Sequence, residues 1–337
     1  MRFRILIATV PLAVFLVAIT AFLYWAGTST EHPAQWSSMT RYPGVEFKSN
    51  STGIVRVMTY NIGYCSGMSN NLPVRENQYF FSRNMETFLE YLRKNPMDIV
   101  AFQEIDFHSH RSYFIDQLDT VSRTLEFPNG AGVVNWDKRY VPFPYWPPSV
   151  HFGPMLSGQG IVSRYEVLSN RRVRLEQPEG MFFLKKRFYM QRLAQVVELK
   201  LGERALVVVN VHLEAFHLET RRSQARQVLE LFREYGEETP MLVLGDFNCV
   251  PPDAPKKSGF ADEPDTDYTG DDTILLFLQQ RGLKPALVGT PTFPSDKPDR
   301  QLDYIFYTPR WISPGATYTV PLDSSDHLPL VMEFTLR

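Results

Sequence analysis

Cysteine is nearly absent from this chain. Its 337 residues include two, Cys65 and Cys249, which excludes a disulfide-rich scaffold and any structural zinc site built on thiolates. In an oxidising compartment the two could pair, and otherwise they stand as buried free thiols. Net charge is lacking too: 35 Lys and Arg face 37 Asp and Glu, giving −2 at pH 7. No global field therefore draws the chain to nucleic acid, although a local basic groove stays open. No segment repeats at solenoid period, and there is no low-complexity tract. From about residue 54 to residue 337 no linker-like break occurs, so that stretch reads as one domain, drawing its core from the chain's 44% hydrophobic residues.

One long apolar run stands out, residues 5–26, interrupted only by Thr9, Pro11 and Thr20. About 20 such residues span a bilayer. Arg2 and Arg4 precede the run, Tyr24 and Trp25 close it, and the next basic side chain is Arg41. The positive-inside rule then puts the amino terminus in the cytoplasm and the rest outside it. The expectation is a single-pass membrane protein with an anchor over 1–26, a tether over 27–53 and a main domain over 54–337. The competing reading is a cleaved signal peptide and a secreted protein, although the run is long for that and ends in Trp-Ala-Gly. Asn50-Ser51-Thr52 is a glycosylation sequon, meaningful only in a eukaryotic secretory route.

Apolar patterning predicts strands over 54–61, 98–106, 160–163, 193–199, 205–212, 241–250, 301–307 and 328–334. A helix over 76–95 carries Phe81, Met85, Phe88, Leu89 and Leu92 on one face. Phe114, Leu118, Val121 and Leu125 mark a second, and Ala225, Val228, Leu229 and Phe232 a third that Gly236 closes. Asp272 caps a short helix over 273–281. The stretch 141–152, dense in proline and aromatics, is neither helix nor central strand. It is either a packed surface loop or a lip on the substrate or membrane side. The acidic stretch 262–272 lacks EF-hand register and reads as a solvated loop. Strands and helices alternate without a strict βαβ rhythm. The fold class is therefore α/β (α+β), a four-layer sandwich of two mixed sheets flanked by helices, with the anchor helix in front.

Chemistry gathers where strands end. Met241–Val250 runs apolar and then breaks into Gly245, Asp246, Phe247 and Asn248, and residues two apart on an extended chain face the same way. Asn61, Glu104, His212, Asp303, Asp326 and His327 occupy equivalent ends or the turns beside them. The set holds carboxylates, amides and imidazoles with no thiolate, which suits a hard cation such as Mg²⁺, with Mn²⁺ as its substitute. Glu104 is the first metal ligand by this reading. A phosphoester needs neutralised non-bridging oxygens, an oriented water and help for the leaving oxygen. Mg²⁺ with Asn248 and His212 can serve the first, and Asp246 the second. Asp303 would keep His327 charged and aimed at the phosphoryl group.

The ordered motifs TYN at 59–61, QE at 103–104, NVH at 210–212, GDFN at 245–248, LDYI at 302–305 and SDH at 325–327 resemble the endonuclease/exonuclease/phosphatase superfamily. That group includes pancreatic-type deoxyribonuclease, apurinic endonucleases, neutral sphingomyelinases and inositol-phosphate 5-phosphatases. The resemblance covers about residues 54–337 and implies Mg²⁺-dependent phosphoester hydrolysis. It implies Glu104 and Asn61 at the metal with Asp326 beside it, Asp246 at the water, Asn248 and His212 at the phosphate, and Asp303 behind His327. Residues 103–117 also resemble the hydrolase domain of proteins that remodel glycosylphosphatidylinositol lipids, and Arg111 is the phosphate-contact candidate there. The resulting expectation is a membrane-tethered, monomeric phosphodiesterase on a lipid headgroup. The alternatives are an extracytoplasmic nuclease and, in another class, a dead hydrolase scaffold used for binding. Three basic clusters, Arg171/Arg172/Arg174, Lys185/Lys186/Arg187 and Arg221/Arg222, would have to grip nucleic acid; each also fits a solvated surface.

Overall fold

The computed structural model describes residues 2–49, 53–70 and 72–337, with side chains from residue 11 onward. The sequon at Asn50 and the side chains of residues 5–10 lie outside the described residues. In chain order the strands are β1 (Ser37–Arg41), β2 (Val55–Asn61), β3 (Ile99–Asp106), β4 (Asn129–Val141), β5 (Gly153–Ser163), β6 (Glu166–Arg174) and β7 (Leu193–Leu201). There follow β8 (Arg204–His212), β9 (Met241–Asp246), β10 (Lys284–Pro285), β11 (Asp303–Tyr307), β12 (Ile312–Thr319) and β13 (Leu330–Leu336). They build a seven-stranded sheet in the order β1-β4-β5-β3-β2-β13-β12 and a six-stranded sheet in the order β10-β11-β9-β8-β7-β6. Both sheets are mixed: β2–β3 and β8–β9 are parallel pairs in otherwise antiparallel surroundings.

Each parallel pair needs a crossover, and a helix supplies it. Helix α2 (Gln78–Lys94) joins β2 to β3, and α5 (Leu218–Tyr235) joins β8 to β9. The side chains of Phe81, Met85, Phe88, Leu89 and Leu92 are buried as the helical spacing predicts, and Asn77 caps α2 by accepting from Phe80 N. α3 (Gln117–Thr124) joins α2 on the outer face of the larger sheet, while α6 (Thr273–Leu278) joins α5 on the smaller.

Strand alternation decides which residues meet between the sheets. Val55, Val57, Ile99 and Ala101 of the larger sheet share one apolar cluster with Leu206, Val208, Leu242, Leu244 and Ile305 of the smaller. Their neighbours Met58, Tyr60, Val100 and Phe102 face α2 and α3, and Val207, Val209, Val211 and Val243 face α5. Continuing the inner series two residues at a time leads from Val57 to Thr59 and Asn61, from Val208 to Asn210 and His212, and from Leu244 to Asp246. The sandwich core thus runs without interruption into the site.

The strands absent from the sequence reading carry weak apolar signals. β1, β6 and β12 lie at or near sheet edges with exposed, polar faces, and β4 opens with Asn-Gly-Ala-Gly. β1 lies within the segment read as a tether and pairs with β4 from Ser37↔Val133 to Arg41↔Asn129. Cys65 and Cys249 are buried free thiols.

The single-pass topology is corrected. Helix α1 (Arg2–Ala26) contains Pro11, and among the described residues no helix is long and apolar enough to cross a membrane. The placement of the catalytic domain outside the cytoplasm rested on that span and falls with it. The far end of α1 instead packs on the domain: the Phe22 ring lies 5.7 Å from that of Tyr140, and Arg187, in the short helix α4 (Phe183–Phe188), donates to Tyr24 O at 2.5 Å.

Candidate active site

The inner-face series of β2, β3, β8, β9 and β11 end at one place. Asn61 Nδ2 donates to Asp246 Oδ2 at 3.0 Å and to Glu104 Oε1 at 3.4 Å, and lies 3.4 Å from His327 Nε2. His212 Nε2 is 3.6 Å from Asp246 Oδ2 and 3.9 Å from Glu104 Oε1. His327 Nε2 lies 3.7 Å from the same Asp246 oxygen, and its Nδ1 bonds Asp303 Oδ2 at 2.9 Å. Residues separated by 266 positions thus share one cleft.

Two backbone features make this convergence feasible. Gly245 (φ +137°) lets β9 run close against β8, since a Cβ there would stand 2.0 Å from Val211 O. Glu104 and Asn248 adopt left-handed φ values of +51° and +50°, each at a cost on the order of 1–3 kcal/mol for a non-glycine residue. Every fully buried Val, Leu or Ile of the adjoining core contributes roughly 1.5–3 kcal/mol, so a few of them offset that strain. The turn re-aims Glu104, whose side chain keeps 15% of its surface exposed while that of Asp246 keeps 2%. Asn248 N donates to Asp246 Oδ1 at 2.9 Å, and its Nδ2 is anchored on Leu213 O at 2.9 Å.

Burial and neighbours set the protonation states. Burial raises the Asp246 carboxyl, His327 opposes this and Asp303 adds to it, leaving it at about 7. Burial would lower His327, but Asp303 and Asp246 together lift it to about 10, so the ring stays cationic at neutral pH. Burial, then the Arg192 charge, then His327 push His212 well down, so it is neutral. Burial raises Asp326 to about 6, with His327 opposing and Glu104 contributing.

Asp326 is positioned by Asn70, whose Nδ2 donates to it at 3.0 Å, and by Ser325 Oγ at 3.1 Å. Gly63 (φ +46°) passes so close that a Cβ would stand 3.0 Å from both Asp326 Oδ1 and Ser325 Oγ. The donor set fits a hard divalent cation: Glu104, Asp246 and Asp326 offer carboxylate oxygens, the Glu104 charge adds to the rise of Asp326, and an ion among them would stabilise the ionised forms. Asp246, Asp303 and His327 form the tightest cluster of ligand-type side chains among the described residues. With His327 held cationic by Asp303 and so without a free lone pair, Glu104 and Asp326 are the residues that would hold such an ion. Asn61 as oriented turns its N–H groups to the carboxylates and its oxygen to Gly63 N, at 3.2 Å.

Arg111, expected at a substrate phosphate, is committed elsewhere. Its guanidinium makes paired bonds to Asp106 at 2.9 and 3.0 Å and lies 3.7 Å over the Tyr64 ring, with 5% of its side chain exposed. The cation missed by the sequence reading is Arg192, its side chain 6% exposed, with Nη1 2.5 Å from His212 Nε2 and Nε 3.8 Å from Glu214 Oε2. The available signal was a lone arginine at the head of an apolar strand, beside Leu193, which pairs with His212. Arg300 was missed too. It pairs with Asp262, Glu263 and Asp299, so the acidic loop is braced, and it stacks on Phe293, whose ring lies 4.7 Å from that of His327.

Residues 58–327 match the model of the Endonuclease/Exonuclease/phosphatase family. The chain belongs to that family. Its members are metal-dependent phosphoester hydrolases, and this chain is an enzyme of that kind. An endonuclease/exonuclease/phosphatase from Beutenbergia cavernae has a similar fold, with TM-score 0.60 and 21% identity over 84% of this chain and 72% of that one. A mannosyl-6-phosphatase from Bacteroides thetaiotaomicron gives 0.56 and 14% over 83% and 99%. TDP2 from D. rerio, complexed with a single-strand DNA product, gives 0.56 and 13% over 84% and 99%. No curated protein matches the sequence.

Proposed function

We propose that residues 54–337 form a monomeric, Mg²⁺-dependent phosphodiesterase acting on the headgroup phosphate of a lipid or related amphiphile, with Mn²⁺ able to replace Mg²⁺. The observation that carries the chemistry is the position of Asp246 Oδ2, within 3.7 Å of both imidazoles and bonded to Asn61. Glu104 and Asp326, with Asn61 after a half-turn of its amide, would hold the metal. When bound, the metal supplies charge neutralisation at the phosphoryl oxygens.

The chain's own groups do the rest. Asp246 at about 7 is balanced to orient a water and accept its proton near neutral pH. His327 remains cationic and donates from Nε2 toward the phosphoryl group, with Asp303 fixing Nδ1 as the other N–H. Neutral His212 accepts from Arg192, which brings a fixed positive charge behind the imidazole that serves the phosphate. A binding module would have no use for so complete a set.

Substrate class is read from the exposed side chains. Of the basic clusters that nucleic acid would require, Arg171 pairs with Glu234, Arg221 with Asp271, and Arg222 with Asp272 and Glu219. Arg172 stacks on Trp36 and donates to Val134 O. Large apolar side chains are exposed instead: Tyr145, Trp146, Phe182, Phe183 and Phe216, the last at 88%. Such a surface suits an amphiphile more than a polyanion. The full chain with Mg²⁺ should be given a chromogenic phosphodiester, supercoiled plasmid and phospholipid vesicles. Cleavage of the diester and the lipid with intact plasmid is expected; nicked plasmid beside untouched vesicles would make it a nuclease.

A further inference from the structure

One layer below the catalytic side chains, the interior between the sheets stops being apolar. Thr59, Gln103, Gln159, Gln195 and Asn210 lie there, all without exposed surface. Gln103 on β3 reaches across the gap. Its Nε2 donates to Asn210 Oδ1 on β8 at 2.6 Å and to Thr59 Oγ1 on β2 at 3.1 Å. Asn210 replies with Nδ2, which donates to Phe102 O at 3.0 Å and to Gln195 Oε1 at 3.2 Å. Gln159 adds a bond from its own Nε2 to Asn210 O at 3.1 Å. Each sheet therefore holds both the side chain and the backbone of the other at this level. Dispersion contacts in the apolar layer beneath are non-directional, whereas buried amides fix distance and angle and are costly to leave unpaired.

This clasp stands next to the most strained acid of the site. Gln103 immediately precedes Glu104, and the β3–β5 register breaks between Phe102 and Ile105, where Glu104 takes its left-handed φ of +51°. A strained residue keeps such a conformation only when its surroundings over-determine it. Asn210 sits two residues before His212 on the same face of β8. The two anchored amides thus straddle the 3.9 Å approach of His212 Nε2 to Glu104 Oε1.

We infer that Gln103 and Asn210 are positioning residues that lock the two sheets in register and hold Glu104 in its ligating conformation. The inference rests on the reading of Glu104 as a metal ligand. Gln103 works wholly as a donor: its Oε1 has no hydrogen-bond partner among the described residues. Gln103→Met keeps length and removes the donor. Asn210→Asp keeps the acceptor for Gln103 and removes the donor to Phe102 O.

The test measures Mg²⁺ affinity by calorimetry and by the Mg²⁺-induced rise in melting temperature, together with kcat and KM on a chromogenic diester. Gln103→Met should bind Mg²⁺ roughly 10-fold more weakly, as partners of metal ligands do, with kcat reduced and KM little changed. Asn210→Asp should fall between it and the native protein. The double variant with Asn210→Leu should be no worse than the worse single one, because both break one interaction. If Gln103→Met only melts lower and binds Mg²⁺ as the native protein does, the clasp is mere packing. Should Gln103→Met not fold, native Mg²⁺ affinity in Asn210→Asp together with unchanged kcat would overturn the inference. Glu104→Gln separates the two readings: native Mg²⁺ binding in that variant sinks the metal assignment, whereas its loss beside intact binding in the clasp variants sinks the clasp alone.

Discussion

The two sheets end in the same cleft but bring it different things. β2 and β3 of the larger sheet deliver Asn61 and Glu104, and Glu104 is lightly held and partly open to solvent. β8, β9 and β11 of the smaller sheet deliver His212, Asp246 and Asp303, all buried and cross-braced, with Arg192 behind them. An exchangeable ion needs a carboxylate that water can reach; a proton acceptor and a permanent cation need dry, fixed surroundings. His327, from the loop before β13, bridges the two through Asp246 and Asp303. The proposed division of labour follows from burial as much as from residue type.

The sharpest way to break this contrast is Asp246→Asn, which keeps the shape and can accept from one of the two donors, Asn61 Nδ2 and Asn248 N, but removes the proton acceptor. We expect kcat to fall on the order of 10³-fold with Mg²⁺ affinity less affected; an active variant would remove the smaller sheet from the chemistry. Arg192→Ala comes next, with a loss of roughly 10²-fold in kcat/KM, as for other preorganised donors to a charged transition state. Unchanged kinetics would return Arg192 to a structural role.

Asp303→Asn probes the cation. In the native protein His327 holds its proton to about pH 10, so the alkaline limb of kcat should lie near that value. Without Asp303 the limb should move to lower pH by roughly 1–3 units; an unmoved limb would show that His327 is not the acid being titrated. The smallest effect is on stability. Asp246 at about 7 and Asp326 at about 6 are raised above their ordinary 3.8. Their contribution is full below about pH 4 and is lost as pH rises through 6 to 7. Metal-free protein should therefore melt lower across that window, and Mg²⁺ should raise the melting temperature more at about pH 7.5 than at about pH 5. A Mg²⁺ effect independent of pH would argue against ligation among these carboxylates.

Much of the site was legible because its residues terminate strong apolar strands. Asn61, His212 and Asp246 each end a strand whose inner-face parity carries straight into the polar end, and Glu104 stands near the end of one as well, re-aimed by its left-handed turn. Arg192 was hidden because nothing local distinguishes a strand-capping arginine from a surface one; only the pairing of β7 with β8 brings it to His212. Arg111 misled for the opposite reason. It lies in a suggestive segment, but Asp106, five residues earlier, takes its guanidinium.

The amino-acid order alone determined the strongly apolar strands and helices, the chain positions of the chemistry and the family, because periodicity and short motifs are local properties. Folding decided which acid faces water, which imidazole is held cationic and which arginine packs against His212. Those are matters of distance and desolvation between residues far apart in the chain, and no local pattern encodes them.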